Sequence, residues 1–268
     1  MPIVSASFLP PSPLLIPEIG KQNNQMLQKT SQAYRQMAAI FEKEEIEIII
    51  VISPYGLSQN ENISLNIAPQ LQISFQEFGY LATIKTLNPA WRLADAIVKE
   101  MGHDYPVKLS SQEKLDYGSA VPLALLTENI IIKTLPLFPA NQKNRAYHYE
   151  FGLKLGKILK KRPEKIALVA SGELSRCLKK NSPGGYSPKG ARFDNRVIEY
   201  LNDSENGLNK ILALEDKIGE EAKEGGLKQL SLLIGAIGEN CQAQILAYQN
   251  DFGIGYLSVN FNLQIATI

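Results

Sequence analysis

The chain has 268 residues, of which 44% are apolar and 21% charged, and its formal net charge is +1. That size and composition suit a single layered globular domain, and the near-neutral balance argues against a nucleic-acid binder working through a broad basic face. No stretch approaches 18 uninterrupted apolar residues, so no membrane span is expected.

In chain order, Ile3 to Leu9 reads as a strand, and Pro10-Pro11-Ser12-Pro13 forces an extended loop after it. The same prolines break the N-terminal apolar run, so a secretory leader is not expected. A helix is predicted from about Gln22 to Glu42, with Leu27, Ala33, Tyr34, Met37, Ala38 and Phe41 on its inner face. Ile48-Ile49-Ile50-Val51-Ile52 is a continuous β-branched run, the pattern of a strand covered on both faces. It stops at Ser53-Pro54-Tyr55-Gly56. Weaker strands are predicted at Ile63 to Ile67 and Leu81 to Thr86, then a helix from Pro89 to Met101 with Pro89 near its first turn. Leu115 to Leu123 reads as a glycine-containing loop, and Ile130 to Leu137 as a strand.

Ala146 to Lys160 has the spacing of an amphipathic helix, and the basic residues between Lys154 and Lys165 read as its solvated face. A buried strand, Ile166 to Ala170, follows and breaks at Ser171-Gly172 into a polar cluster with Glu173, Ser175 and Arg176. Asn181 to Gly190, with three glycines and two prolines, reads as an irregular loop. Helices are predicted at Phe193 to Leu201 with Asp194 in the first turn, at Leu214 to Glu224 with Gly225-Gly226 ending it, and at Leu227 to Ile237. Gln244 to Tyr248 and Gly255 to Phe261 read as closing strands. The alternation predicts one α/β domain over residues 1–268, with a central mostly parallel or mixed sheet flanked by helices. Cys177 and Cys241 form no CxxC pair, and two reduced thiols in a cytoplasmic protein are expected.

In such folds chemistry gathers at the carboxyl ends of the strands. The loops there carry Pro13-Leu14-Leu15-Ile16-Pro17-Glu18-Ile19-Gly20, Ser53-Pro54-Tyr55-Gly56, Leu115-Asp116-Tyr117-Gly118 with Val121-Pro122-Leu123, and Ser171-Gly172-Glu173-Leu174-Ser175. Pro183-Gly184-Gly185-Tyr186-Ser187-Pro188 with Phe193-Asp194, and Phe252-Gly253-Ile254-Gly255-Tyr256, complete the series. In this order they resemble the class III extradiol ring-cleavage dioxygenase family, nearest its Memo-like branch. The resemblance implies that extradiol dioxygenase-like fold, and in active members an iron(II) held by two histidines and one carboxylate. The family histidine positions fall here on Pro11, Tyr55, Tyr117 and Arg176, and the aspartate before the last of them on Glu173. The carboxylate ligand corresponds to Glu224, or failing it Glu221.

This pattern predicts a catalytically degenerate member with a former active site at Pro11, Ser12, Tyr55, Tyr117, Glu173, Arg176 and Glu224. No cofactor and no metal are expected, Glu224 being the one family-type ligand. A fixed +1 guanidinium about 5 Å from a +2 ion repels it by about 7 kcal/mol at an effective dielectric of ~20. Arg176 instead suits a carboxylate or phosphate, with Tyr55 and Tyr117 as aromatic walls, so a small anionic or aromatic ligand is expected. The other outcome is that Arg176 pairs with Glu224 or Glu173 and fills the site. His103 and His148 lie on no strand-end loop and read as exposed or locally bonded. The alternatives are an iron(II) ring-cleaving dioxygenase with a non-standard metal site, and a Memo-like component beside a radical S-adenosylmethionine enzyme. A homodimer or a second subunit is the partner expectation, with neither nucleic acid nor membrane.

Overall fold

The computed structural model describes residues 2–57, 61–238 and 241–263, so Met1 and 264–268 of the expected domain lie outside the described residues. The strands are β1 (Ile3–Leu9), β2 (Ile48–Ile52), β3 (Ile63–Asn66), β4 (Leu71–Phe75), β5 (Tyr80–Pro89), β6 (Val107–Ser110), β7 (Lys133–Phe138), β8 (Ile166–Ser171), β9 (Cys241–Gln249) and β10 (Tyr256–Leu263). The helices are α1 (Pro17–Gly20), α2 (Gln28–Lys43), α3 (Trp91–Met101), α4 (Tyr117–Leu126), α5 (Arg145–Leu159), α6 (Pro188–Leu201), α7 (Gly207–Leu212), α8 (Asp216–Ala222) and α9 (Leu227–Ile237).

The strands form one mixed sheet in the order β4-β5-β7-β2-β8-β1-β10-β9, with β3 paired to β6 and β7. Its centre, β7-β2-β8-β1, is parallel, while β10 and β9 close one side antiparallel. The β-branched run of β2 sits in that centre, where both faces are covered. Ile49 and Val51 point with Leu9, Ala167 and Val169 toward Tyr34, Met37 and Phe41 of α2. Ile48, Ile50 and Ile52 point with Phe8, Leu168 and Ala170 toward Phe151 and Leu155 of α5 and Leu230 and Leu233 of α9. The period-2 alternation thus feeds two cores, one on each face of the sheet. Helices α5 and α9 cross closely because Gly152 and Gly156 present no side chain: a Cβ there would lie 2.2 Å from the Leu232 and Ala236 carbonyl oxygens.

Several predicted boundaries are corrected. The Leu115 to Leu123 segment is not a loop: α4 begins at Tyr117 and runs through Pro122. Asp116 caps it, its carboxylate accepting from the Ser119 amide at 3.0 Å. Pro89 is the last residue of β5, and α3 starts at Trp91. Pro188 opens α6, six residues before Asp194, so Asp194 is in the second turn and buried. The expected Leu214 to Glu224 helix ends at Ala222, where Lys223 turns left-handed. The predicted first helix begins as a 3-10 segment, Lys21–Leu27, before α2. Strands β4 and β6 carried no signal, being short segments stabilised by their pairing with β5 and β3.

Candidate functional site

The carboxyl ends of β1, β2 and β8 point the same way because the strands are parallel, and the loops leaving them converge with the start of α4. Tyr55 follows β2, Glu173 and Arg176 follow β8, Ser12 follows β1, and Tyr117 opens α4. Arg176 Nη2 donates to Glu173 Oε2 at 3.0 Å and to the Tyr55 hydroxyl, which in turn donates to Glu173 Oε2. The Arg176 guanidinium also lies 5.3 Å from the centre of the Tyr55 ring. Tyr55 and Tyr117 stack at 4.2 Å with an interplanar angle of 22°, and Phe78 meets Tyr117 edge-on at 5.7 Å. The tyrosine rings expected as pocket walls therefore pack on one another.

Burial and the Glu173 charge push the Tyr55 phenol far above its usual range, and burial takes Tyr117 up to about 12. Both remain neutral donors at physiological pH. Burial opposes the charge on Arg176, the Glu173 carboxylate beside it favours that charge, and the net shift is upward.

The loop carrying this group is held from several sides. The Arg176 amide donates to the Ala222 carbonyl at 3.2 Å, and the Gly225 amide to the Glu173 carbonyl at 3.1 Å. The Ser175 amide donates to Asp194 Oδ1 at 2.8 Å, and the Tyr248 hydroxyl to Asp194 Oδ2 at 2.7 Å. Asp194 is pushed up to about 6 by its burial. A second link depends on Pro122. Lacking an N–H, it leaves the Gly118 carbonyl of α4 without its helical donor. Ser171 Oγ supplies that bond at 2.6 Å and so ties the end of β8 to α4.

Of the predicted site residues, Ser12, Tyr55, Tyr117, Glu173 and Arg176 share this rim. Pro11 is buried beside Ser12 and offers no donor atom, while Ser12 Oγ lies 3.5 Å from the Tyr256 hydroxyl. Glu224 does something else: its Oε2 accepts from the Gly226 and Leu227 amides, each at 2.7 Å, capping α9. Burial raises its carboxyl, with the two amides and then Arg145 and Arg176 opposing. It borders a cleft of about 300 Å³ with Arg145, Asp216 and Lys228, and a smaller one of about 180 Å³ with Pro54 and Gly225. Arg176 thus takes Glu173 as its partner and leaves Glu224 to the helix.

Sequence reasoning missed Ser53, Asp116, Asp194 and Tyr256. Asp116 also accepts from the Ser53 hydroxyl, which fixes the turn carrying Tyr55. The Asp116-x-x-Ser119 spacing was a readable capping signal, whereas Tyr256 reaches the rim only through sheet pairing. Neither histidine is here. His103 is exposed, and His148 is buried, its Nε2 accepting from the Ala140 amide at 3.1 Å while Nδ1 meets the Asn144 carbonyl at 2.7 Å.

Residues 5–258 match the family model for the catalytic LigB subunit of aromatic ring-opening dioxygenase. The chain belongs to the LigB family. It is 24% identical, over 93% of its length, to Protein CA_C1420 of Clostridium acetobutylicum. The chain spans 55% of that curated relative. The fold is also that of the crystal structure of the uncharacterised protein JW3007 from Escherichia coli K12, with a TM-score of 0.67, 19% identity and coverage of 96% of this chain and 98% of that one. The iron(II) centre of non-haem oxygenases takes two imidazoles and a carboxylate. The donors gathered here are phenols, a hydroxyl and an ion-paired carboxylate, with a guanidinium among them, and this set does not fit that centre. Among the described residues no three His, Cys, Asp or Glu side chains converge as metal ligands, and no helix is long and apolar enough to cross a membrane.

Proposed function

We propose that this chain is a catalytically degenerate LigB-family protein that acts by binding a small anionic or aromatic ligand, or as a scaffold, rather than by cleaving rings. The observation that carries the reading is the Arg176–Glu173 ion pair bridged by Tyr55 at the strand ends. A guanidinium does not deprotonate in proteins, so it serves neither as a metal ligand nor as a proton shuttle. It is a donor fork for carboxylate or phosphate, and 30% of the Arg176 side chain is solvent-exposed. An arriving anion would compete with Glu173 for that fork, while an aromatic ring would meet Tyr117 and Phe78. A cytoplasmic location is part of the same reading, supported by the unpaired thiols of Cys177 and Cys241.

The test combines metal analysis with thermal shifts. After anaerobic loading with iron(II), the protein is expected to hold no stoichiometric iron and to leave catechols intact. Small aromatic carboxylates are expected to raise its melting temperature in the wild type but not in Arg176→Ala. Stabilisation retained in Arg176→Ala would remove the role given to that residue. A second reading, a ring-cleaving dioxygenase with a non-standard iron site, is favoured by the family match and by the Glu224 carboxylate bordering the cleft. Stoichiometric iron that is lost in Glu224→Ala would establish it. A Memo-like partnership with a radical S-adenosylmethionine enzyme rests on the sequence resemblance, and co-purification with such an enzyme is its test.

A further inference from the structure

Helices α5 and α9 begin side by side. Asn144 and Arg145 at the start of α5, with Leu227 and Lys228 at the start of α9, line the cleft of about 300 Å³. Its smaller neighbour, a recess of about 180 Å³, is lined by Lys228 and Gln229 together with Asn141, Glu224, Gly225 and Gly226.

Three donor groups at this recess lack the partners that their burial calls for. Gln229 is only 4% exposed, yet its carboxamide has no hydrogen-bond partner among the described residues. Buried amides are ordinarily bonded, and one left open beside a recess points to a ligand. Lys228 donates once, to the Asn141 carbonyl at 2.6 Å, which leaves two of its N–H groups. Burial lowers its pKa, with Glu224 and then Asp216 opposing. Among the described residues no carboxylate is in salt-bridge contact with it, whereas Arg145 is already paired with Asp216 at 2.6 Å. The third group is backbone. Glu224 Oε2 takes the Gly226 and Leu227 amides, and the next two amides, of Lys228 and Gln229, have no acceptor among the described residues.

We propose that this recess holds a phosphate group, bound by the Lys228 ammonium, the Gln229 carboxamide and the open amides of α9. An oxyanion fits because the donors gather at the positive end of an 11-residue helix. Phosphate fits better than carboxylate because the donors outnumber what two oxygens accept, and a phosphate group presents three. Glu224 selects against sulfate. It borders the recess, and its Oε1 has no hydrogen-bond partner among the described residues. A P–OH can donate to that oxygen, while sulfate carries no proton and is repelled. The proposal does not rest on the rim reading, since Arg176, Glu173, Tyr55 and Tyr117 are not among the residues lining the recess.

Isothermal titration calorimetry of the full chain with inorganic phosphate at pH 6 is the test, and one site per chain is expected. Gln229→Leu should abolish binding without lowering the melting temperature, because it removes an unbonded buried amide. Lys228→Met should weaken binding by about 10-fold. Sulfate should bind more weakly than phosphate by a similar factor, and Arg176→Ala should leave phosphate binding unchanged. Phenyl phosphate, titrated in parallel, separates the two sources. Tighter binding than inorganic phosphate assigns the site to a monoester and weaker binding assigns it to the free ion, and either result supports the proposal. No heat with either probe, affinity kept in Gln229→Leu, or sulfate bound as tightly as phosphate would overturn it. Phosphate binding lost in Arg176→Ala would overturn it as well, by placing the anion on the rim. Failure of aromatic carboxylates to stabilise the wild type would count against the rim reading alone.

Discussion

Buried Glu173 and half-buried Glu224 both lie next to Gly225, yet their carboxylates are satisfied in different ways. Glu173 takes a cation, Arg176, and a phenol, Tyr55. Among the described residues Glu224 has no cation in salt-bridge contact, and it commits Oε2 to the first amides of α9. The turn between them is glycine because the Arg176 guanidinium lies against it: a Cβ on Gly225 would be 2.3 Å from Nη2. Two carboxylates close together in space thus belong to two different devices, an ion pair that shapes the rim and a cap that starts a helix. A buried carboxylate is defined by whichever donor reaches it at the lowest desolvation cost, a side-chain fork in one place and free helix amides in the other.

The sharpest way to break this arrangement is at Gly172, where the two devices touch. A Cβ there would sit 2.5 Å from the Gly226 Cα and 2.9 Å from the Gly225 carbonyl oxygen. Gly172→Val should cost about 3 kcal/mol in chemical denaturation, since backbone must move to admit it. Next in size is Arg176→Met, which leaves Glu173 buried without its cation and should cost about 2 kcal/mol, below the usual figure for a fully buried pair because Arg176 is partly exposed. Adding Glu173→Gln should recover more than half of that loss, whereas adding Glu224→Gln should recover none. Recovery by the Glu224 change would mean that the two carboxylates act as one site.

The link between Ser171 and Pro122 gives the third test. Ser171→Ala leaves the buried Gly118 carbonyl unsatisfied, at an expected cost of about 1–2 kcal/mol. In a Pro122→Ala background the restored N–H can serve that carbonyl, so the cost should shrink toward zero. Equal costs in both backgrounds would refute the exchange.

The pH response ranks fourth. Asp194 is raised by burial from 3.8 to about 6. A carboxyl raised in the folded state binds its proton before the unfolded chain does. Stability should therefore rise as the pH falls from about 6 toward 4. Burial raises Glu224 too, with the same sign. Asp194→Asn should flatten part of the slope, and a slope unchanged in that variant would assign it elsewhere. Smallest is Glu224→Ala, a lost helix cap worth about 1 kcal/mol. It should leave the Arg176–Glu173 coupling intact.

The amino-acid sequence by itself determined the layered α/β fold. The apolar run at Ile48–Ile52 and the one ending at Ala170 can be buried only in the centre of a sheet, and the helical spacing between them supplies the covering layers. The sequence also determined which loops meet, because parallel strands put their carboxyl ends on one side. It left open which partner Arg176 would choose, Glu173 three residues before it or Glu224 on a distant segment. Only the tertiary structure decided that, by placing the free amides of Gly226 and Leu227 over Glu224. It likewise let the helix after Leu115 run on through Pro122, since Ser171, more than 50 residues away, repairs the bond that Pro122 cannot make. Hydrogen-bond donors compete in space rather than along the chain, and that competition is settled only once the strands are side by side.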